Sequence, residues 1–153
     1  MRLAVLSGII WACFTVPGAT QETKPAGRYG IEPRLQTFPQ NNPKEALASV
    51  LAAIEAKRIP YLLAQLTDPD WVDKRVKEIY GGRFDELVAE TSMKLADNPA
   101  AVKELRRFLK EGEWDEGENA ASAKLKDVKN RQVFLRKVGT RWFLENRQKP
   151  AEK

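Results

Sequence analysis

Histidine is absent from this chain and cysteine occurs once, at Cys13, so the side chains most used as nucleophiles and soft metal ligands are nearly missing. Cys–His and Ser–His catalytic arrangements, and His or Cys metal centres, are excluded by that inventory. No catalytic, metal-binding or cofactor-binding residue is therefore assigned, and no cofactor is implied. What the chain does offer is aromatic surface. Trp71, Tyr80, Phe84, Trp114 and Trp142 can wall a small-molecule pocket, because aromatic faces supply much of the contact area in such sites. Trp71, Tyr80, Trp114, Phe134 and Trp142 are the residues to test as a pocket or an interface. Core packing explains the same residues without any ligand. A run of acids, Glu111, Glu113, Asp115, Glu116 and Glu118, has oxygen ligands that suit a hard cation, but it lacks the spaced Asp/Asn pattern and closing Glu of a calcium loop. A solvated acidic loop is the expectation there.

The elements that must position these residues begin after an export-type leader. Arg2 is followed by an uncharged run from Leu3 to Val16, too short to cross a hydrocarbon core that needs about 20 apolar residues. Gly18 and Ala19 offer a cleavage site after Ala19, which places Cys13 in the removed leader and leaves a mature chain without thiols. A lipidated Cys13 fits poorly, because bulky Trp11 stands where a small residue is wanted. The expected product is periplasmic or extracellular, with no integral membrane span after cleavage.

Charge is uneven along the chain. Lys124 to Lys153 holds ten basic residues against three acidic ones, a stretch able to attract anionic lipid or envelope polymer, or simply to keep the surface solvated. No nucleic-acid motif is present, and nucleic acid is not an expected partner.

Residues 20–42 carry Pro25, Pro33 and Pro39 with Gly27 and Gly30, and read as a Pro-containing, largely disordered linker. Tyr29, Ile31, Leu35 and Phe38 are apolar enough for its second half to lie on the domain. Helix starts then repeat one signal. Asn42-Pro43, Asp68-Pro69 and Asn98-Pro99 each pair a capping side chain with a proline whose missing N–H costs nothing in the first turn. Leu47, Val50, Leu51 and Ile54 follow one helical stripe, and Pro60 breaks it before Tyr61, Leu62, Leu63 and Leu66. Val72, Val76 and Ile79 point a third helix inward until Gly81-Gly82 ends it. Phe84, Leu87, Val88, Thr91 and Leu95 mark a fourth, and Val102, Leu105 and Leu109 a fifth that stops at Gly112.

Beyond Gly112 the period becomes strand-like. Ala121, Ala123 and Leu125 alternate with polar residues, Asp127 to Asn130 makes a turn, and Gln132 to Val138 precedes a strand over Trp142 to Asn146. Gly139 permits the positive φ of a tight hairpin turn. Apolar residues fall on both faces of that hairpin, so one layer of helices leaves a face for a partner chain or the linker. The reading is an α+β fold: N-terminal helices on a short C-terminal antiparallel sheet of about three strands. Its organisation is a signal peptide over 1–19, the linker over 20–42, one domain over 43–147 and a disordered tail over 148–153.

The first helix Pro43-Lys44-Glu45-Ala46-Leu47, the breaking segment Ala56-Lys57-Arg58-Ile59-Pro60-Tyr61, and the hairpin Val133 to Leu144 with its Gly-x-x-Trp ending together resemble exported members of the nuclear transport factor 2-like (cystatin-like) superfamily. The resemblance runs from about Asn42 to Arg147. It implies helices in the concave face of a curved sheet, here a cone truncated to about three strands, with dimerisation through the sheet's outer face. Enzymes of that superfamily place a carboxylate and a tyrosine or histidine in the mouth of the cone. Here that implies Asp68, Asp70, Asp73 and Asp85 with Tyr61 and Tyr80. Each aspartate has a simpler reading, Asp68 as a cap and the others as first-turn charges. The expected function is thus a non-catalytic exported domain binding a protein partner or small ligand. The alternatives are an isomerase- or hydratase-type acid–base enzyme using an Asp/Tyr pair, and envelope attachment through the basic end.

Overall fold

Each Asn/Asp-Pro signal starts a helix in the computed structural model, which describes residues 27–147. Helix α1 spans Pro43–Glu55, and Asn42 Oδ1 accepts from Glu45 N at 2.9 Å. Helix α3 (Pro69–Glu78) is capped by Asp68, which accepts from Asp70 N at 3.1 Å. Helix α5 (Pro99–Glu111) is capped by Asn98, which accepts from Ala101 N at 3.1 Å. Between α1 and α3, a single turn α2 (Ile59–Tyr61) widens into a π turn over Leu62–Leu66. The wide turn closes with Thr67 N donating to Leu62 O at 2.9 Å, and all five of its residues are buried. Helix α4 (Phe84–Asp97) follows Gly81 and Gly82, both at positive φ as the ending of α3 requires.

The sheet has four antiparallel strands, where about three were expected, in the order β1 (Glu113–Glu116), β2 (Ala120–Leu125), β3 (Val128–Val138) and β4 (Arg141–Glu145). The extra strand corrects the reading of the acidic run as a loop. Trp114 pairs across from Ala123, so ladder hydrogen bonds order a segment whose charge alone argued for solvation. The turn expected over Asp127 to Asn130 is shorter, because β3 already begins at Val128. Gly139, at φ 61, turns β3 into β4 with Val138 opposite Arg141.

Two apolar clusters hold the layers together. One joins α1 residues Val50 and Ala53 to the π turn, Val72 and Val76 of α3, and Leu87 of α4. The other joins Ala46 and Leu47 of α1 and Phe108 of α5 to the inner sheet face at Ala123, Val133, Leu135 and Trp142. Leu144 touches both. Ile79, read as inward, is 61% exposed, because α3 ends one residue before it and the chain turns away.

The stretch expected to be disordered linker is corrected from Arg28 onward. Arg28 and Ile31 bridge across a Tyr29-Gly30 turn, Phe38 is buried in the first cluster, and Gln40 clasps β4. Gln40 Nε2 donates to Trp142 O at 2.7 Å while Trp142 N donates to Gln40 O at 3.0 Å. Phe38 and these paired backbone groups outweigh what proline and glycine cost in order. The expected leader over 1–19, the start of the linker and the tail over 148–153 lie outside the described residues. Among the described residues no helix is long and apolar enough to cross a membrane.

Candidate functional site

A cleft of about 790 Å³ opens at the seam between the two apolar clusters. Its floor comes from α1 (Val50, Ile54), the π turn (Leu62, Leu63), β3 (Val133) and β4 (Leu144). Leu105 of α5, with Leu87, Thr91 and Leu95 of α4, forms the walls, and Trp71 of α3 closes one side. Both Leu62 and Leu63 of the π turn line the cleft. Helix α4 buries only Leu87 fully, so its inward stripe faces the cleft rather than solid core.

Charge collects at the mouth. The Arg75 guanidinium lies 5.6 Å from the Trp71 ring centre and 6.0 Å from that of Tyr80. Two rings flanking a planar cation hold it through cation–π attraction and restrict its rotamers. Arg75 Nη2 reaches Glu90 Oε1 at 3.4 Å, and Lys94 hydrogen-bonds the same oxygen. The Lys94 ammonium beside Glu90 keeps that carboxyl below its ordinary range. At the other lip Arg147 donates twice to Glu145 Oε1, at 3.0 and 3.2 Å, and lies 4.8 Å over the Phe134 ring.

Of the five aromatic residues singled out from sequence, Trp71 and Phe134 line the cleft, and Phe134 also borders a shallow hollow on the outer sheet face. Tyr80 stands behind Arg75 and is buried, its hydroxyl without a partner among the described residues. Trp114 is elsewhere, half-buried on β1 with the Lys44 ammonium 5.8 Å above it. Trp142 is 5% exposed and packs within the inner-face cluster. Sequence reasoning missed Arg75, Glu90, Lys94 and Arg147. The signal was available in the i, i+4 spacing of Trp71 with Arg75 and of Glu90 with Lys94.

None of the four aspartates lines the cleft. Asp68 caps α3 and pairs with Arg136 at 3.1 Å, and burial raises its carboxyl above the ordinary value despite that cation. Asp70 also bonds Arg136. Asp73 receives the Tyr29 hydroxyl at 2.6 Å and the Arg28 guanidinium, but at an exposed position. Asp85 is a solvent-facing first-turn residue of α4. Tyr61, instead of facing a carboxylate, accepts from Arg34 N at 2.8 Å.

The basic C-terminal stretch is partly neutralised by distant acids. Lys126 pairs with Glu113 at 3.2 Å, Arg131 with Glu104, and Arg136 with Asp68. The outer sheet face is likewise not bare at its β4 end, where Phe143 is buried with the Arg141 guanidinium 4.9 Å over its ring. No family model, curated protein or solved structure matches the chain.

Proposed function

We propose that this protein is an exported, non-catalytic α+β domain that holds a small, largely apolar ligand in the cleft between its helices and its sheet. The observation that carries the reading is the cleft's position. It occupies the seam where two apolar clusters would otherwise merge, and aliphatic side chains from α1, the π turn, β3 and β4 form its floor. A concave surface with an apolar floor and polar groups around its rim is an ordinary form of a small-molecule site. Its volume falls within the roughly 300–1,000 Å³ common for such sites.

The non-catalytic part of the reading is supported by how the carboxylates are used. Glu90 and Glu145 at the mouth are both committed to cations, while Asp68, Asp70 and Asp73 serve a cap and ion pairs outside the cleft and Asp85 faces solvent. A base for proton abstraction needs a free carboxylate within hydrogen-bond reach of its substrate.

Titration with a neutral solvatochromic dye tests the cleft. One saturable equivalent is expected to bind, and Thr91→Trp, which fills the cleft from α4, is expected to abolish binding without lowering the melting temperature. A dye that does not bind, or binds equally to the variant, would overturn the reading.

A further inference from the structure

We infer that the ligand is an alkyl monocarboxylate, its chain on the apolar floor and its carboxylate held by Arg75 and Lys94; this rests on the cleft being a ligand site. Charge balance at the mouth argues for the acid. Arg75 and Lys94 share one carboxylate, that of Glu90, and among the described residues neither has another within ion-pair distance. The second carboxylate at the mouth, Glu145, is paired with Arg147 through two hydrogen bonds to its Oε1. One positive charge at the α3–α4 lip is therefore left over, beside an aliphatic surface.

Geometry adds to charge. The Arg75 guanidinium lies within 6.0 Å of both the Trp71 and Tyr80 ring centres, and its contact with Glu90 is long at 3.4 Å, so donors remain for a second anion. A guanidinium presents parallel N–H groups that match a carboxylate in bidentate fashion, a match an alcohol cannot make. Lys94, with a side chain 68% exposed, can swing toward an incoming anion. A cationic headgroup would meet two carboxylates already neutralised and a surplus of positive charge.

The test is calorimetric titration of the full chain with dodecanoate, dodecanol and dodecyltrimethylammonium, each below self-association. Dodecanoate is expected to bind about ten- to a hundredfold more tightly than dodecanol, the range for a charge-assisted hydrogen-bond pair. In Arg75→Gln that ratio is expected to fall to near one while dodecanol affinity is unchanged. Lys94→Gln, at an exposed position, is expected to lower the ratio severalfold and guards against a folding defect in the first variant. Equal affinity for acid and alcohol, preference for the ammonium, or a ratio that survives both substitutions would overturn the inference. In those outcomes the cleft reading stands if Thr91→Trp blocks dodecanol. Absence of binding by all three compounds would overturn both.

Discussion

Gln65 and Arg141, 76 positions apart, meet through a 3.1 Å hydrogen bond from the Arg141 guanidinium to the Gln65 side-chain oxygen. Gln65 is completely buried in the π turn, and its Nε2 donates to Ile31 O at 2.6 Å. One amide thus ties the N-terminal segment to the end of the β3–β4 hairpin. Arg141 has no carboxylate partner among the described residues, and burial lowers its pKa from the usual value. A half-buried cation satisfied by neutral amides and an aromatic face depends on each of those partners.

Gln65→Ala should therefore destabilise the fold by about 1–3 kcal/mol, the cost of leaving a part-buried acceptor at Ile31 and a part-buried donor on Arg141 without this partner. Urea denaturation measures it. A midpoint equal to that of the unmodified protein would mean the N-terminal segment is held by other contacts.

Trp142→Ala is expected to cost about 3–5 kcal/mol, because it empties a large volume between α1 and the sheet. The loss should appear in thermal unfolding at all protein concentrations. A variant that folds normally but changes its sedimentation would place Trp142 at an interface instead of in the core.

Lys57 sits at φ 55 just past α1, where Arg58 N reaches Ala53 O at 2.8 Å and Lys57 N reaches Ile54 O at 3.0 Å. That pair of bonds makes the left-handed helix ending that glycine adopts most readily. Lys57→Gly is expected to raise stability by about 1 kcal/mol, since a Cβ at this φ is strained. Denaturant midpoints for the two proteins check the sign.

The Tyr29 ring stacks on Phe84 at a centroid distance of 4.0 Å while its hydroxyl donates to Asp73, and its pKa is pushed up to about 12, by burial first and by the Asp73 carboxylate next. A raised folded pKa means the neutral phenol is favoured in the fold. Its contribution is fully present below about pH 10 and lost as pH rises through about 12. The stability difference between the unmodified protein and Tyr29→Phe should accordingly shrink across that window. Denaturation at stepped alkaline pH measures it, and parallel pH curves would count against the contact.

The helix starts were legible because their physics is local. A capping side chain and a proline act within four residues, so Asn42, Asp68 and Asn98 declare their helices regardless of what packs on them. The Gly139 hairpin was legible for the same reason. Strand β1 was not, since Glu113 to Glu116 becomes a strand only by pairing with β2, and composition argued for water. The N-terminal segment was half legible. Its apolar residues hinted at contact, but Gln40 pairs with Trp142 across a distance in sequence that no window spans. Trp71 could be singled out by type, whereas Arg75 became part of the site only once two rings and Glu90 were seen around it.

The order of residues by itself determined the α+β class, the three capped helix starts and the chemistries that a chain without histidine lacks, because each depends on residue type or near-neighbour geometry. Tertiary structure decided that the two apolar clusters leave a cleft, that α4 walls it, and that Arg75 and Lys94 share one carboxylate at its lip. Those facts come from side chains far apart in sequence meeting in space, and long-range packing leaves no periodic trace in the chain.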